Sequence, residues 1–150
     1  MTGRGTASIE LRPPVHRHPY RIIYADTDTG GVVYYGNYLR LFEMGRTEFM
    51  RSVLGMPYKR FQQSGVIFPV SESYCRYKAP AVYDDLIDIC TSLFKVTGIS
   101  IRFHYEIRKV ADNRLLARGY TVHAAVDGAG RLSPIPSDLV IALSSLGCDG

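Results

Sequence analysis

The stretch YADTDTGGVVYYGNYLRLFEMGRTEF, residues 24 to 49, holds the side chains whose types and spacing can do chemistry. Asp28 lies in a tight turn just ahead of Gly30 and Gly31, where the absence of side chains lets a ligand approach the backbone closely. Asn37 then opens a helical pattern, and the first N–H groups of a helix have no partner inside it. A carboxylate and an electropositive helix start therefore stand a few residues apart. That pairing suits acyl transfer: the free N–H groups can polarise a thioester carbonyl and stabilise its oxyanion, while the carboxylate attacks the carbonyl or activates water. The same pattern also fits a plain turn, since Asp before glycines commonly caps its own loop.

The elements that would position these residues can be read on either side. RIIYAD, following His18, has the β-branched and aromatic content of a strand running into the DTDTGG turn, which puts Asp26 and Asp28 at a strand end. From Asn37, a good N-cap, Tyr38, Leu41, Phe42, Gly45, Phe49 and Val53 recur at helical spacing until Gly55 and Pro57 stop the pattern. Gly45 interrupts the apolar stripe at a cost of about 1 kcal/mol relative to Ala, so close approach of the helix to a sheet is the expected compensation.

Four strand-like runs follow, FPVSESYCRY, LIDICTSLFKV, SIRFHYEIRKV and LLARGYTVHAAV, punctuated by Ala79-Pro80, Thr97-Gly98, Asp112-Asn113 and Asp127-Gly128. PSDLVIALSSLG, with Ser137 as its N-cap candidate, reads as a short last helix. Residues 1–15 lack periodicity, are rich in Gly, Thr, Arg and Pro, and are expected to be a disordered tail ahead of one domain spanning 16–150. SIRFHYEI and TVHAAV carry apolar or aromatic residues on both alternations, as strands do when another subunit or the last helix covers their second face.

Composition agrees with one globular domain: 150 residues, 46% hydrophobic and 21% charged. The net charge of +4 is dispersed, unlike the concentrated basic stripe of a nucleic-acid binder, so no nucleic-acid partner is expected. No apolar run approaches the roughly 20 residues of a membrane span. Three cysteines, Cys75, Cys90 and Cys148, with no CxxC pair, suit reduced thiols in the cytoplasm.

The segment 24–49 closely resembles the signature of the 4-hydroxybenzoyl-CoA thioesterase family of hotdog proteins, including the Tol-Pal-associated acyl-CoA thioesterases. In that signature Asp-x-Asp-x-Gly-Gly-Val-Val-Tyr precedes an aromatic or His, Asn-Tyr, and a helix carrying Phe-Glu and Arg-Thr-Glu. YKAPAVYDDLIDI, residues 77–89, looks like the family's strand, Ala-Pro turn and Asp-Asp strand start.

The resemblance implies an α+β hotdog fold, an antiparallel five- or six-stranded sheet wrapped around one long helix, assembled as a homodimer or a dimer of dimers with active sites at the interface. It implies an acyl-CoA, or an acyl-carrier-protein thioester, as substrate, and no metal or redox cofactor. It places the catalytic carboxylate on Asp28 and the polarising backbone N–H on Tyr35, with Gly30, Gly31, Val32, Val33, Tyr34 and Asn37 as the substrate-binding stretch between and beside them.

Asp26 is expected to hydrogen-bond the loop and hold Asp28 in place. Glu43 is expected to pair with Arg40 or Arg46 at helical spacing, with a catalytic role as the alternative. Tyr34, Tyr35, Tyr38, Phe61 and Phe68 are candidate walls of an acyl pocket. Arg76, Lys78, Lys95, Arg102 and Arg108 are of the kind that meets coenzyme A phosphates, though nothing in the sequence selects among them. The rival reading is a non-hydrolytic acyl-thioester binding or scaffold protein of the same fold.

Overall fold

A computed structural model describes residues 9–55 and 64–146 of the chain. Phe61, Pro57 and Cys148, all named above, lie outside the described residues, as do the first eight residues of the expected tail. In chain order the elements are β1 (Val15–Arg21), α1 (Asn37–Ser52), β2 (Val70–Tyr77), β3 (Leu86–Val96), β4 (Ser100–Lys109), β5 (Leu115–Ala124) and α2 (Ser137–Ser144). Among the described residues the strands form one antiparallel sheet of five, ordered β1-β3-β4-β5-β2. The sheet wraps around α1, which is the hotdog arrangement.

Alternation explains the packing. Ile101, Phe103, Tyr105 and Ile107, two residues apart on β4, are buried toward α1, as are Ile87, Ile89 and Leu93 on β3. The helix supplies Leu41, Phe42, Phe49 and Met50 from one face. Phe42 stacks on Tyr105 with ring centroids 4.3 Å apart, and Phe49 meets Phe103 edge-on at 5.9 Å. Gly45 makes this closeness possible: a Cβ there would fall on Thr91 Oγ1 and within 2.7 Å of Ile89 Cγ2, both on β3. The expected close approach is thus to the second strand of the sheet.

Several local expectations are corrected. The first strand begins and ends earlier than RIIYAD, because Tyr24–Asp26 forms a turn of 3-10 helix. Asn37 is the first helical residue; Gly36 occupies the cap and no side chain caps it. Ser137 likewise starts its helix behind Pro136 instead of capping it.

Residues 9–14, assigned to the tail in the sequence, lie along the outer face of the sheet instead. Ile9 is buried, the Arg12 N–H donates to Ser92 Oγ at 3.2 Å, and the Arg12 guanidinium stands 4.2 Å over the Phe94 ring. The Glu10 carbonyl accepts from His104 Nδ1 at 2.9 Å. The chain's own N-terminal residues therefore cover part of the second apolar face noted on β4. α2 packs into the core through Leu139 and Leu143. No helix among the described residues is long and apolar enough to cross a membrane.

Candidate active site

The loop between β1 and α1 is closed by a short ladder. Thr27 pairs with Val33, the Asp28 N–H donates to the Val32 carbonyl at 2.8 Å, and the Tyr34 N–H donates to the Asp26 carbonyl at 2.9 Å. At its tip the Gly31 N–H returns to the Asp28 carbonyl at 3.0 Å, with Gly31 at φ +85°, a conformation that glycine adopts without steric cost. A further bridge fastens the loop to the turn before β3: Val32 stands opposite Val82, and the Val33 N–H donates to the Ala81 carbonyl at 2.9 Å.

Asp26 is the anchor of this loop. It is 1% exposed, and its Oδ2 accepts from the Tyr20 hydroxyl at 2.8 Å and the Ile23 N–H at 2.9 Å, while Oδ1 is ion-paired to Arg40 on α1. Its carbonyl accepts from Tyr34 and also from Asn37 Nδ2 at 2.8 Å. Strand, loop and helix start thus converge on one residue.

Asp28, two positions on, is in the opposite situation. It is exposed; Oδ1 accepts only the Gly30 N–H, at 2.8 Å, and no cation lies within 4 Å among the described residues. Its second oxygen is open. At the other end of the loop, the Tyr35 N–H donates to no group among the described residues, while the Tyr35 carbonyl accepts from the Tyr77 hydroxyl at 3.1 Å. That phenol remains a donor, since burial and the neighbouring Cys75 push it up to about 12. Burial also pushes Cys75 up to about 11, so it holds no thiolate near neutral pH.

The other residues singled out in the sequence divide. Gly30 and Gly31 are exposed at the turn, and Tyr34 and Tyr35 are exposed, with ring centroids 4.7 Å apart. Val32 is half-buried beside Val82. Val33, Tyr38 and Phe68 are buried in the core, and the Asn37 amide is spent on the Asp26 carbonyl.

Glu43 has no ion pair within 4 Å among the described residues, because Arg40 is drawn to Asp26; the expected pairing of Glu43 with Arg40 does not form. Of the basic candidates for phosphate contact, Arg102 lies over the Tyr120 ring at 4.0 Å and Arg108 pairs with Glu106. Arg76, Lys78 and Lys95 are exposed.

Sequence reasoning missed Tyr20 and Arg40, whose contacts with Asp26 join segments far apart in the chain. It also missed a cleft of about 300 Å³ beside the helix start, lined by Leu39, Arg40, Glu43 and Arg46 of α1, Val70 and Ser73 of β2, and Thr121 of β5. The recurrence of residues 39, 43 and 46 on one helix face is the signal from which it was legible.

A family model described as the thioesterase-like superfamily matches residues 24–143. The acyl-CoA thioester hydrolase YbgC of Escherichia coli O6:H1 is 35% identical to this chain over 122 residues, covering 78% of this chain and 86% of that protein. Among solved structures, a hypothetical protein from Thermus thermophilus superposes with a TM-score of 0.82 at 31% identity, covering 90% of this chain and 99% of the other. The DHNA-CoA thioesterase from Staphylococcus aureus superposes with a TM-score of 0.82 at 26% identity, covering 87% and 89% of the two chains.

Proposed function

This chain belongs to the thioesterase-like superfamily, a family of thioester hydrolases, and we propose that it hydrolyses acyl-CoA thioesters with Asp28 as the catalytic carboxylate. One observation carries the reading. Asp28 presents an open carboxylate oxygen at one end of a loop fastened to the turn before β3, and the unspent Tyr35 N–H stands at the other end, at the start of α1.

In this reading the thioester carbonyl oxygen accepts from the Tyr35 N–H, where the helix start favours the developing negative charge. Asp28 then acts in one of two ways. As nucleophile it bonds to the carbonyl carbon, the carbon–sulfur bond breaks, the thiolate leaves with the electron pair and takes a proton from water, and a second water cleaves the resulting mixed anhydride. As base it removes a proton from water, whose oxygen attacks the same carbon; the carbon–sulfur bond then breaks, and the thiolate leaves with the electron pair and takes up the proton held by Asp28. Either route gives the free acid and coenzyme A. Acyl-carrier-protein thioesters, which end in the same pantetheine thiol, belong to the same reading.

The reading includes pairing of two copies through β2, a sheet-edge strand whose outer side is unpaired among the described residues and which carries exposed Val70 and Tyr77. It also places the protein in the cytoplasm, with Cys75 and Cys90 as free thiols. The test of activity is thiol release by the purified protein from a panel of acyl-CoAs differing in length and in aromatic or aliphatic character. Turnover of at least one member is expected. Binding of acyl-CoA with no thiol released across the panel would instead make the chain a carrier or scaffold.

A further inference from the structure

Beneath the cleft beside α1 runs a chain of buried hydrogen bonds whose direction is fixed at one end. His123 Nδ1 lies 3.1 Å from the Phe68 carbonyl, which can only accept, so Nδ1 carries the hydrogen. Burial, with Arg46 adding repulsion, lowers His123 to about 4, so the ring is neutral near pH 7 and its Nε2 is a bare acceptor. The Thr121 hydroxyl, 2.8 Å away, must therefore donate to Nε2. Thr121 Oγ1 is in turn left to accept from the Tyr105 hydroxyl at 2.7 Å. Tyr105 has then spent its only hydrogen, and its oxygen is left as an acceptor toward Arg46, whose positive charge opposes the upward push of burial on that phenol.

Arg46 thus neighbours an acceptor that cannot turn into a donor. Arg46 itself lines the cleft, and no carboxylate lies within 4 Å of it among the described residues. Arg40, the other cation on the wall, is already committed to Asp26. At 1.5 Å per residue Arg46 stands about 14 Å down the axis from Asn37, and a side chain leaning back by a turn brings the guanidinium to roughly 8 Å from the helix start. An extended acyl chain gains about 1.2 Å per bond, so a group near the seventh carbon of a chain whose carbonyl rests at the helix start would meet Arg46.

We propose that Arg46 is the specificity-determining residue of this cleft, selecting acyl groups that carry a hydrogen-bond acceptor oxygen near their far end, and that Tyr105, Thr121 and His123 are the positioning residues that hold it. This rests on the acyl-CoA reading above. Glu43 on the same wall opposes an acid-terminated chain, which leaves a keto, hydroxyl or amide oxygen as the complementary group.

The test compares octanoyl-CoA with its analogue bearing a keto oxygen on the carbon next to the far end, by calorimetric binding to Asp28→Asn protein. Because hydrolysis plays no part in this measurement, it reads the cleft even if the wild type cleaves neither compound, a result that would count against the hydrolytic reading alone. The expected result is roughly tenfold tighter binding of the keto compound, the order of one hydrogen bond to a charged group. Arg46→Met should bring the two affinities to within about twofold. Thr121→Val, which keeps the shape and breaks the chain, should abolish the preference, and Thr121→Ser should keep it. Equal affinities for the two compounds before any change at Arg46, or a preference that survives Arg46→Met, overturns the assignment of Arg46. A preference lost in Arg46→Met but retained in Thr121→Val overturns the positioning role of the chain.

Discussion

Arg40, fourteen positions after Asp26, closes an ion pair onto a carboxylate that is itself 1% exposed. The pair ties the helix to the loop ahead of it, so that the loop's orientation is set by α1. A buried carboxylate is tolerated here because it also accepts from Tyr20 and Ile23. Removing the cation leaves a charge that is desolvated and incompletely compensated. Arg40→Leu is therefore expected to lower unfolding stability by about 2–3 kcal/mol, a figure reduced from that of a fully buried pair because the arginine itself is half-exposed. Urea denaturation of the two proteins checks this, and unchanged midpoints would contradict it.

The same pair shows what the sequence did and did not reveal. β3, β4 and β5 were legible almost to the residue, because Ile87-Ile89 and Ile101-Phe103-Tyr105-Ile107 alternate within runs bounded by turn residues. The Asp-Asp pair read as a strand start lies just ahead of β3 instead: Asp84 turns the chain at φ +71°, and Asp85 Oδ2 accepts the Val82 N–H at 3.0 Å. Arg40 was misassigned to Glu43 because helical spacing describes only neighbours on a helix, whereas the buried carboxylate that attracts Arg40 belongs to another segment. The covering of the outer sheet face by residues 9–12 was equally illegible: a lone Ile9 in a stretch without periodicity gives no pattern, and the contacts of Glu10 and Arg12 with Ser92, Phe94 and His104 exist only once the sheet is folded.

Gly45 sets the distance between helix and sheet. Gly45→Ala would gain helix propensity of about 1 kcal/mol but force a methyl group against Thr91 and Ile89. Overpacking in a filled core outweighs that gain, and a net loss of about 1–2 kcal/mol is expected. Thr91 Oγ1 is buried with no hydrogen-bond partner among the described residues, so Thr91→Ala removes both an unsatisfied hydroxyl and part of the clash. The double variant should be more stable than the sum of the two single effects predicts, which a double-mutant cycle by denaturation measures.

His104 and His123 are both lowered to about 4, chiefly by burial. His104 Nδ1 donates to the Glu10 carbonyl while Nε2 accepts from Arg102 Nε at 2.9 Å, so both rings are neutral and protonated on Nδ1. A depressed native value means that the unfolded chain, with histidines near 6.5, binds more protons than the folded one. The stabilising contribution is complete above about pH 6.5 and is lost as pH falls toward 4. Nitrogen chemical shifts should show both rings neutral at pH 5.5, and stability should decline between pH 7 and 4. Titration of either ring near 6.5 would contradict this account.

Pairing through β2 predicts a mass in solution of twice the 16.8 kDa chain, or four times if dimers associate. Sedimentation equilibrium measures it. A monomer at micromolar concentration would remove the interface from the proposed function.

The central claim is that the exposed Asp28, held by a buried Asp26 two residues earlier, performs the chemistry. The most direct measurement is the rate of thiol release from a saturating acyl-CoA by wild-type and Asp28→Asn protein, with folding of the variant verified by its denaturation midpoint. Loss of the carboxylate should lower kcat by a factor of at least about 100, the usual scale for removing a positioned catalytic base or nucleophile, with little change in stability because Asp28 makes a single side-chain bond to its own loop. Equal kcat in the two proteins would contradict the account.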